Sequence, residues 1–161
     1  MIVILMGAAG SGKTTIGRLL TNELGWKFYE GDDFHSRENI NKMKQGFALT
    51  DAEREPWLAA LANLIKELDE EKQSAVIACS ALKQAYRDRL AEHSSNIQFV
   101  YLKGSYDLIR HRLEERQEHY FKADLLKSQF DILEEPGQAI IINVAQTPSM
   151  IVEQIKQALR E

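Results

Sequence analysis

Apolar residues in this chain fall into two arrangements. Short unbroken runs rich in Val, Ile and aromatic residues recur at Ile2–Met6, Trp26–Tyr29, Ala75–Cys79, Gln98–Leu102 and Ala139–Val144. None alternates in polarity, so each predicts a strand covered on both faces, as in a parallel sheet held between helices. The segments between them carry apolar positions at helical spacing instead. Trp57, Leu58, Leu61, Leu64, Ile65 and Leu68 make one such stripe, the inward face of an amphipathic helix. Thr15–Leu24 reads as a helix stopped by Gly25, and Lys83–Glu92, Asp107–Arg116 and Pro148–Leu159 continue the alternation. The last has Thr147 as N-cap and Pro148 at its first position, where the missing N–H of proline costs no helical bond. Strand and helix in turn predict a doubly wound α/β domain on a five-stranded parallel sheet. Residues 110–133 fit least well. They carry Arg110, His111, Arg112, Arg116, His119, Lys122 and Lys127 with few apolar residues at first, which predicts a small helical lid.

Length and composition narrow this picture. A chain of 161 residues, 44% hydrophobic and 27% charged, without repeat or linker, predicts one domain over 1–161. A net charge of −4 provides no broad basic field for nucleic acid or an anionic membrane, so any anion site must be local. The single cysteine, Cys79, excludes an internal disulfide framework and fits a reducing compartment. The opening MIVILMGAAG has no basic flank and is far shorter than the roughly 20 apolar residues of a membrane span. It predicts a buried strand in a cytoplasmic protein, with neither nucleic acid nor membrane as partner and a homodimer left open.

Between the first strand and the first helix stands GAAGSGKT, residues 7–14, which fits G-x-x-x-x-G-K-[ST]. Gly7, Gly10 and Gly12 let the backbone turn so that the N–H groups of Gly7, Ala8, Ala9, Gly10, Ser11, Gly12, Lys13, Thr14 and Thr15 can gather around phosphate oxygens. The N-terminus of the following helix adds its positive end. Lys13 is placed to reach the β and γ phosphates, and Thr14 to offer its hydroxyl to Mg²⁺. ATP with Mg²⁺ is the predicted cofactor pair. No glycine has an aspartate three residues before it, and Asn41-Lys42 runs on to Met43-Lys44, so the GTPase signals are missing. The third strand ends in Cys79-Ser80, without the acid that ATPase machines place there. A small-molecule kinase is left.

The stretch EGDDFH, residues 30–35, follows the second strand and so faces the same crevice as the phosphate loop, outside the carboxyl ends of the strands. An acceptor hydroxyl there needs a carboxylate to orient it and take its proton. Asp32 is the first choice for that base. Glu30 is assigned to the hydrated metal, through water, and Asp33 to a turn or helix cap. His35 either orients a substrate hydroxyl or caps a helix predicted over Arg37–Gln45.

EGDDFH-x-x-x-N-x-x-KM-x-x-G, Leu49-x-Asp51-x-x-Arg54-x-Pro56-Trp57-Leu58, CSALK-x-x-YRD-x-L at 79–90, YLKG at 101–104 and LL-x-SQF-x-x-LE-x-P at 125–136 resemble gluconokinase in order and over nearly the whole chain. The resemblance implies the adenylate-kinase-like P-loop fold and transfer of the ATP γ-phosphoryl group to the 6-hydroxyl of D-gluconate. A kinase for another hydroxy acid, shikimate-like, or a nucleotide-dependent binding protein that has lost its chemistry are the alternatives. Gluconokinases usually read Asp where this chain has Glu30, Pro at Ser36 and Ala48, and Asp at Glu53. Their usual R-x-G-H-F stands here as Arg116-Gln117-Glu118-His119-Tyr120. A sugar acid needs a cation for its carboxylate and donors and acceptors for its hydroxyls. Arg54, Lys83 and Arg87 are assigned to the acceptor as a group; Arg87 with Asp88 also reads as a helix-surface pair, and Ser80 as a substrate ligand or a cap. Arg112 and Arg116, four apart on one helical face, are assigned to the nucleotide, with Arg116 also catalytic beside Lys13 and Asp32. Trp57, Phe130 and Cys79 read as core.

Overall fold

The structure, a computed structural model, describes residues 1–115 and 123–161. Five strands, β1 (Ile2–Met6), β2 (Lys27–Glu30), β3 (Ala75–Ala78), β4 (Ile97–Lys103) and β5 (Ile140–Asn143), form one sheet in the order β2-β3-β1-β4-β5. Every adjacent pair is parallel, with Ile4 beside both Ile77 and Phe99 and Glu30 beside Ala78. β1 and β3 are buried on both sides, as their unbroken apolar runs predict, whereas the edge strands β2 and β5 are partly open, with Lys27 and Ile141 exposed. The helices are α1 (Lys13–Leu24), α2 (Arg37–Lys44), α3 (Asp51–Glu70), α4 (Gln84–Leu90), α5 (Tyr106–Glu115), α6 (Ala123–Ile132) and α7 (Pro148–Arg160).

Alternate residues of β1 enter two different cores. Ile2, Ile4 and Met6 pack with Trp57, Leu61 and Ile65 of α3, whereas Val3 and Leu5 pack with Ile16 and Leu20 of α1 and Ile151 and Ile155 of α7. The predicted α3 stripe is thus the cover of one face. Its start is fixed by a capping box: Thr50 Oγ1 accepts from the Glu53 N–H at 3.1 Å, and Glu53 accepts from the Thr50 N–H at 2.8 Å. Glu53 also accepts from Lys42 at 2.6 Å, and that bond holds its carboxyl down to about 2. The residue that departs from the family pattern there is a cap, with no place in the crevice lining.

Several predicted boundaries move. The N–H of Trp26 closes the end of α1 by donating to Thr21 O at 3.1 Å, so β2 begins at Lys27 and runs through Glu30. α1 starts two residues earlier than Thr15, at Lys13. In the predicted lid, α5 is more deeply packed than its polar sequence implied. Its Ile109 and Leu113 close on Ala8 and Ala9 of the phosphate loop and on Leu126 of α6. β1 lies between β3 and β4, so the chain leaves it in both directions across the sheet, and the crevice opens at that switch point.

Candidate active site

β1 delivers the phosphate loop at its carboxyl end. Gly12 has φ 101° as the N-cap of α1, a left-handed conformation that side chains disfavour, and it turns the loop directly into the helix. Lys13 curls over the loop and donates to Gly7 O at 2.9 Å and Ala8 O at 3.0 Å. Gly7 N–H is tied to Ser80 O at 3.2 Å, joining the loop to the end of β3. A tie from further away holds the outer limb: Ala9 N–H donates to Oε1 of the buried Gln129 on α6 at 2.8 Å.

Across from the loop, the acid turn Gly31–Phe34 follows β2. Gly31 is required there, because a Cβ would stand 2.3 Å from Ala78 O. Trp57 Nε1 donates to Gly31 O at 2.8 Å and fixes the turn to α3. The predicted roles of the acids separate in space. Asp32 lines the crevice with Glu30, and Asp33 is absent from its lining. Thr14 Oγ1 donates to Glu30 Oε2, so the hydroxyl and the carboxylate that sequence assigns to a metal meet across the crevice. Burial pushes the Glu30 carboxyl up, the Thr14 bond opposes this, and the charge of Asp32 adds to it.

His35 does not cap α2, because Ser36 is the N-cap and its hydroxyl accepts from Asn39 N–H at 3.1 Å. Instead the imidazole stacks on Trp57 with ring centroids 4.2 Å apart and lines the crevice. Its buried Nδ1 has no hydrogen-bond partner among the described residues. Burial lowers its pKa to about 4 despite the neighbouring Asp32, so the ring is neutral at physiological pH. Trp57 is core, as expected, and also a floor for His35.

Lys13, Thr14, Thr15, Glu30, Asp32, His35, Arg54 and Ser80 line one crevice, with Met43, Leu49 and Leu125 as an apolar wall between α2, α3 and α6. Lys83 and Arg87 do not line it. Lys83 sits at the rim, 3.3 Å from Asp51. Arg87 departs most from its predicted place: it is 3% exposed and clamps the loop after β3. It donates to Ala81 O at 2.7 Å and Glu134 O at 2.8 Å, and Ala81 has φ 46°, a conformation costing about 1–2 kcal/mol. Arg87 therefore supports the turn that presents Ser80, and Asp88 pairs with Gln84 instead. Arg112 reaches Val144 O at 2.7 Å, beyond the end of β5. Arg116, with Gln117 and Glu118, lies outside the described residues. Cys79 is buried and its thiol is pushed up to about 12, which leaves it inert. Three participants were given no role from sequence, although each stands in a motif of the family resemblance: Gln129, Asp51 and Tyr86. Their partners lie 120, 32 and 35 residues away.

Among the described residues no three His, Cys, Asp or Glu side chains form a cage for a metal. The Thr14 hydroxyl beside Glu30 suits instead an ion held jointly by protein, phosphate oxygens and water, as Mg²⁺ is bound in nucleotide sites.

Residues 9–160 match the family model described as Shikimate kinase. The chain is 43% identical to a probable gluconokinase of Rattus norvegicus, over 84% of this chain and 83% of that protein. It belongs to the gluconokinase family. Within the wider group of P-loop kinases to which the shikimate kinase model points, it is an ATP-dependent small-molecule kinase. Solved structures agree. A sugar kinase from Janibacter sp. superposes with a TM-score of 0.93 at 40% identity, covering 99% of this chain and 94% of that one. A gluconokinase from Sinorhizobium meliloti does so with 0.89 at 36% identity, covering 98% and 90%. No helix among the described residues is long and apolar enough to cross a membrane.

Proposed function

We propose that this protein transfers the γ-phosphoryl group of ATP to the 6-hydroxyl of D-gluconate, giving 6-phospho-D-gluconate and ADP. The observation that carries the reading is that one crevice brings together the phosphate loop, the carboxylate of Asp32 and the guanidinium of Arg54. The acceptor's carboxylate pairs with Arg54, and its hydroxyls bond to His35 and Ser80. The 6-hydroxyl then lies against Asp32, which accepts its proton as the oxygen bonds to the γ-phosphorus and the bond to the bridging oxygen of ADP breaks. The loop N–H groups and Lys13 hold the charge that gathers on the phosphates. Arg112 and Arg116 serve the nucleotide end. Thr14, with Glu30 through water, would hold Mg²⁺, which when bound neutralises charge between the β and γ phosphates. Gluconate is the partner, and the family's shared chemistry supports it.

The test is ADP release in a coupled assay with gluconate, shikimate, glycerate and adenosine monophosphate as acceptors. Turnover with gluconate at least ~10²-fold above the others is expected, since a site built to pair a particular set of polar groups rejects acceptors that leave them unpaired. A preference for shikimate or glycerate would move the acceptor to another hydroxy acid. ATP binding without turnover on any of them would make the chain a nucleotide-dependent binding protein.

A further inference from the structure

Arg54 is 13% exposed in its side chain and lines the crevice, yet it is not held by the acids of the crevice. Its Nη1 donates to the hydroxyl of Tyr86 at 2.8 Å. Tyr86 in turn donates to Asp51 Oδ1 at 2.5 Å, and Lys83 donates to the same carboxylate at 3.3 Å. The order of donors is fixed by chemistry, because a guanidinium and an ammonium only donate and an ionised carboxylate only accepts. The tyrosine hydroxyl, which both accepts and donates, thus stands between Arg54 and Asp51. It keeps them 3.8 Å apart, beyond hydrogen-bond distance. The Tyr86 ring also lies against both cations, with Arg54 Cζ 5.4 Å and Lys83 Nζ 5.6 Å from its centroid. Two cations share one carboxylate here, so Arg54 is not fully neutralised by Asp51. The rest of the Arg54 fork has no hydrogen-bond partner among the described residues.

We infer that Tyr86 is a positioning residue for acceptor binding: its hydroxyl occupies one edge of Arg54 and separates it from Asp51, leaving the other edge turned to an anionic acceptor carboxylate. The inference rests on the reading that Arg54 takes that carboxylate. Without the hydroxyl, Arg54 moves the short distance to Asp51 and forms the fork-to-carboxylate pair that guanidinium geometry favours. The acceptor then competes with an internal carboxylate for the same group. The binding of ATP, at the other end of the crevice, is untouched.

The experiment compares Tyr86→Phe, Arg54→Ala and the double variant Tyr86→Phe with Asp51→Asn. Tyr86→Phe keeps the ring and the core contacts, and melting temperatures check that each variant folds. In Tyr86→Phe the KM for gluconate is expected to rise about tenfold, the weight of one hydrogen bond to a charged group, while kcat and the KM for ATP change less than threefold. In the double variant the gluconate KM is expected to return most of the way, because the competing charge has been removed. A purely structural hydroxyl would produce no such rescue. If Tyr86→Phe leaves the gluconate KM unchanged, or raises it with no recovery in the double variant, the inference is overturned. Arg54→Ala separates the two layers of the argument. A normal gluconate KM in that variant removes the reading beneath the inference, whereas a raised KM there with a normal Tyr86→Phe removes the inference alone.

Discussion

Gln129 offers a direct measure of how α6 supports the phosphate loop. Its Oε1 accepts from Ala9 N–H at 2.8 Å in a buried setting, among Ala8, Ala9, Ile109, Leu113 and Leu126. Gln129→Met keeps length and volume but removes the acceptor, so the Ala9 N–H is left buried and unpaired. Such a group costs about 1–3 kcal/mol. In a domain of this size each kcal/mol shifts the melting temperature by about 2–4 °C, giving a fall of about 2–12 °C. The same loss lets the loop relax, so the KM for ATP should rise several-fold more than that for gluconate. Lys127→Gln, on the same helix, breaks an exposed pair with Asp131 at 2.9 Å and serves as control, with little change in melting temperature expected. The assay is thermal unfolding of both variants with and without ATP, followed by steady-state kinetics. If Gln129→Met melts within a degree of the parent and binds ATP normally, the loop does not depend on α6 and the reasoning fails.

Three further outcomes follow from the crevice. Lys13→Ala should lower turnover by roughly 10²-fold or more with the fold kept, as for loss of one charge-stabilising donor; near-normal turnover, read by ADP release, would remove Lys13 from the chemistry. Because the His35 pKa is lowered from 6.5 to about 4 on folding, the unfolded chain binds more protons between these values. Its contribution is full above about 6.5 and is lost as pH falls toward 4, so the Tm-against-pH profile of His35→Gln should be flatter in that window than the parent's. Glu30→Asp, one methylene shorter and the family's usual residue, should retain turnover and shift mainly the Mg²⁺ concentration needed, as a group acting through metal-bound water would; a loss of turnover that saturating Mg²⁺ does not restore would give Glu30 a direct role.

What sequence could reveal here depended on how local each feature is. The strands were legible because residues such as Ile2–Met6 are buried on both sides, and burial on both sides leaves an unbroken apolar run. The phosphate loop was legible because its chemistry is backbone geometry, and glycine spacing records that geometry directly. The boundary of β2 was misplaced because the fate of Trp26 depends on its N–H returning to Thr21, which apolarity does not record. Arg87 was misassigned for a related reason. A charged residue on a short helix reads as surface or ligand, yet its guanidinium is consumed by the Gln84 side-chain oxygen and two backbone carbonyls, one of them 47 residues away. Gln129, Tyr86 and Asp51 stand in motifs of the family resemblance, but a motif does not record their partners; each acquires its place only when distant elements meet. Asp32 and Asp33, adjacent and chemically alike, were divided by the turn that follows β2 and not by composition.

That division gives the most direct test of the central claim. The measurement is kcat and KM for gluconate and ATP in Asp32→Asn and Asp33→Asn. Asp32→Asn preserves shape and hydrogen-bonding capacity but removes the proton acceptor, so kcat should fall by about 10² to 10⁴ with ATP affinity little changed. Asp33→Asn, outside the crevice lining, should be mild. A larger loss in Asp33→Asn than in Asp32→Asn would move the base by one residue, and small equal losses in both would contradict a carboxylate base in this crevice.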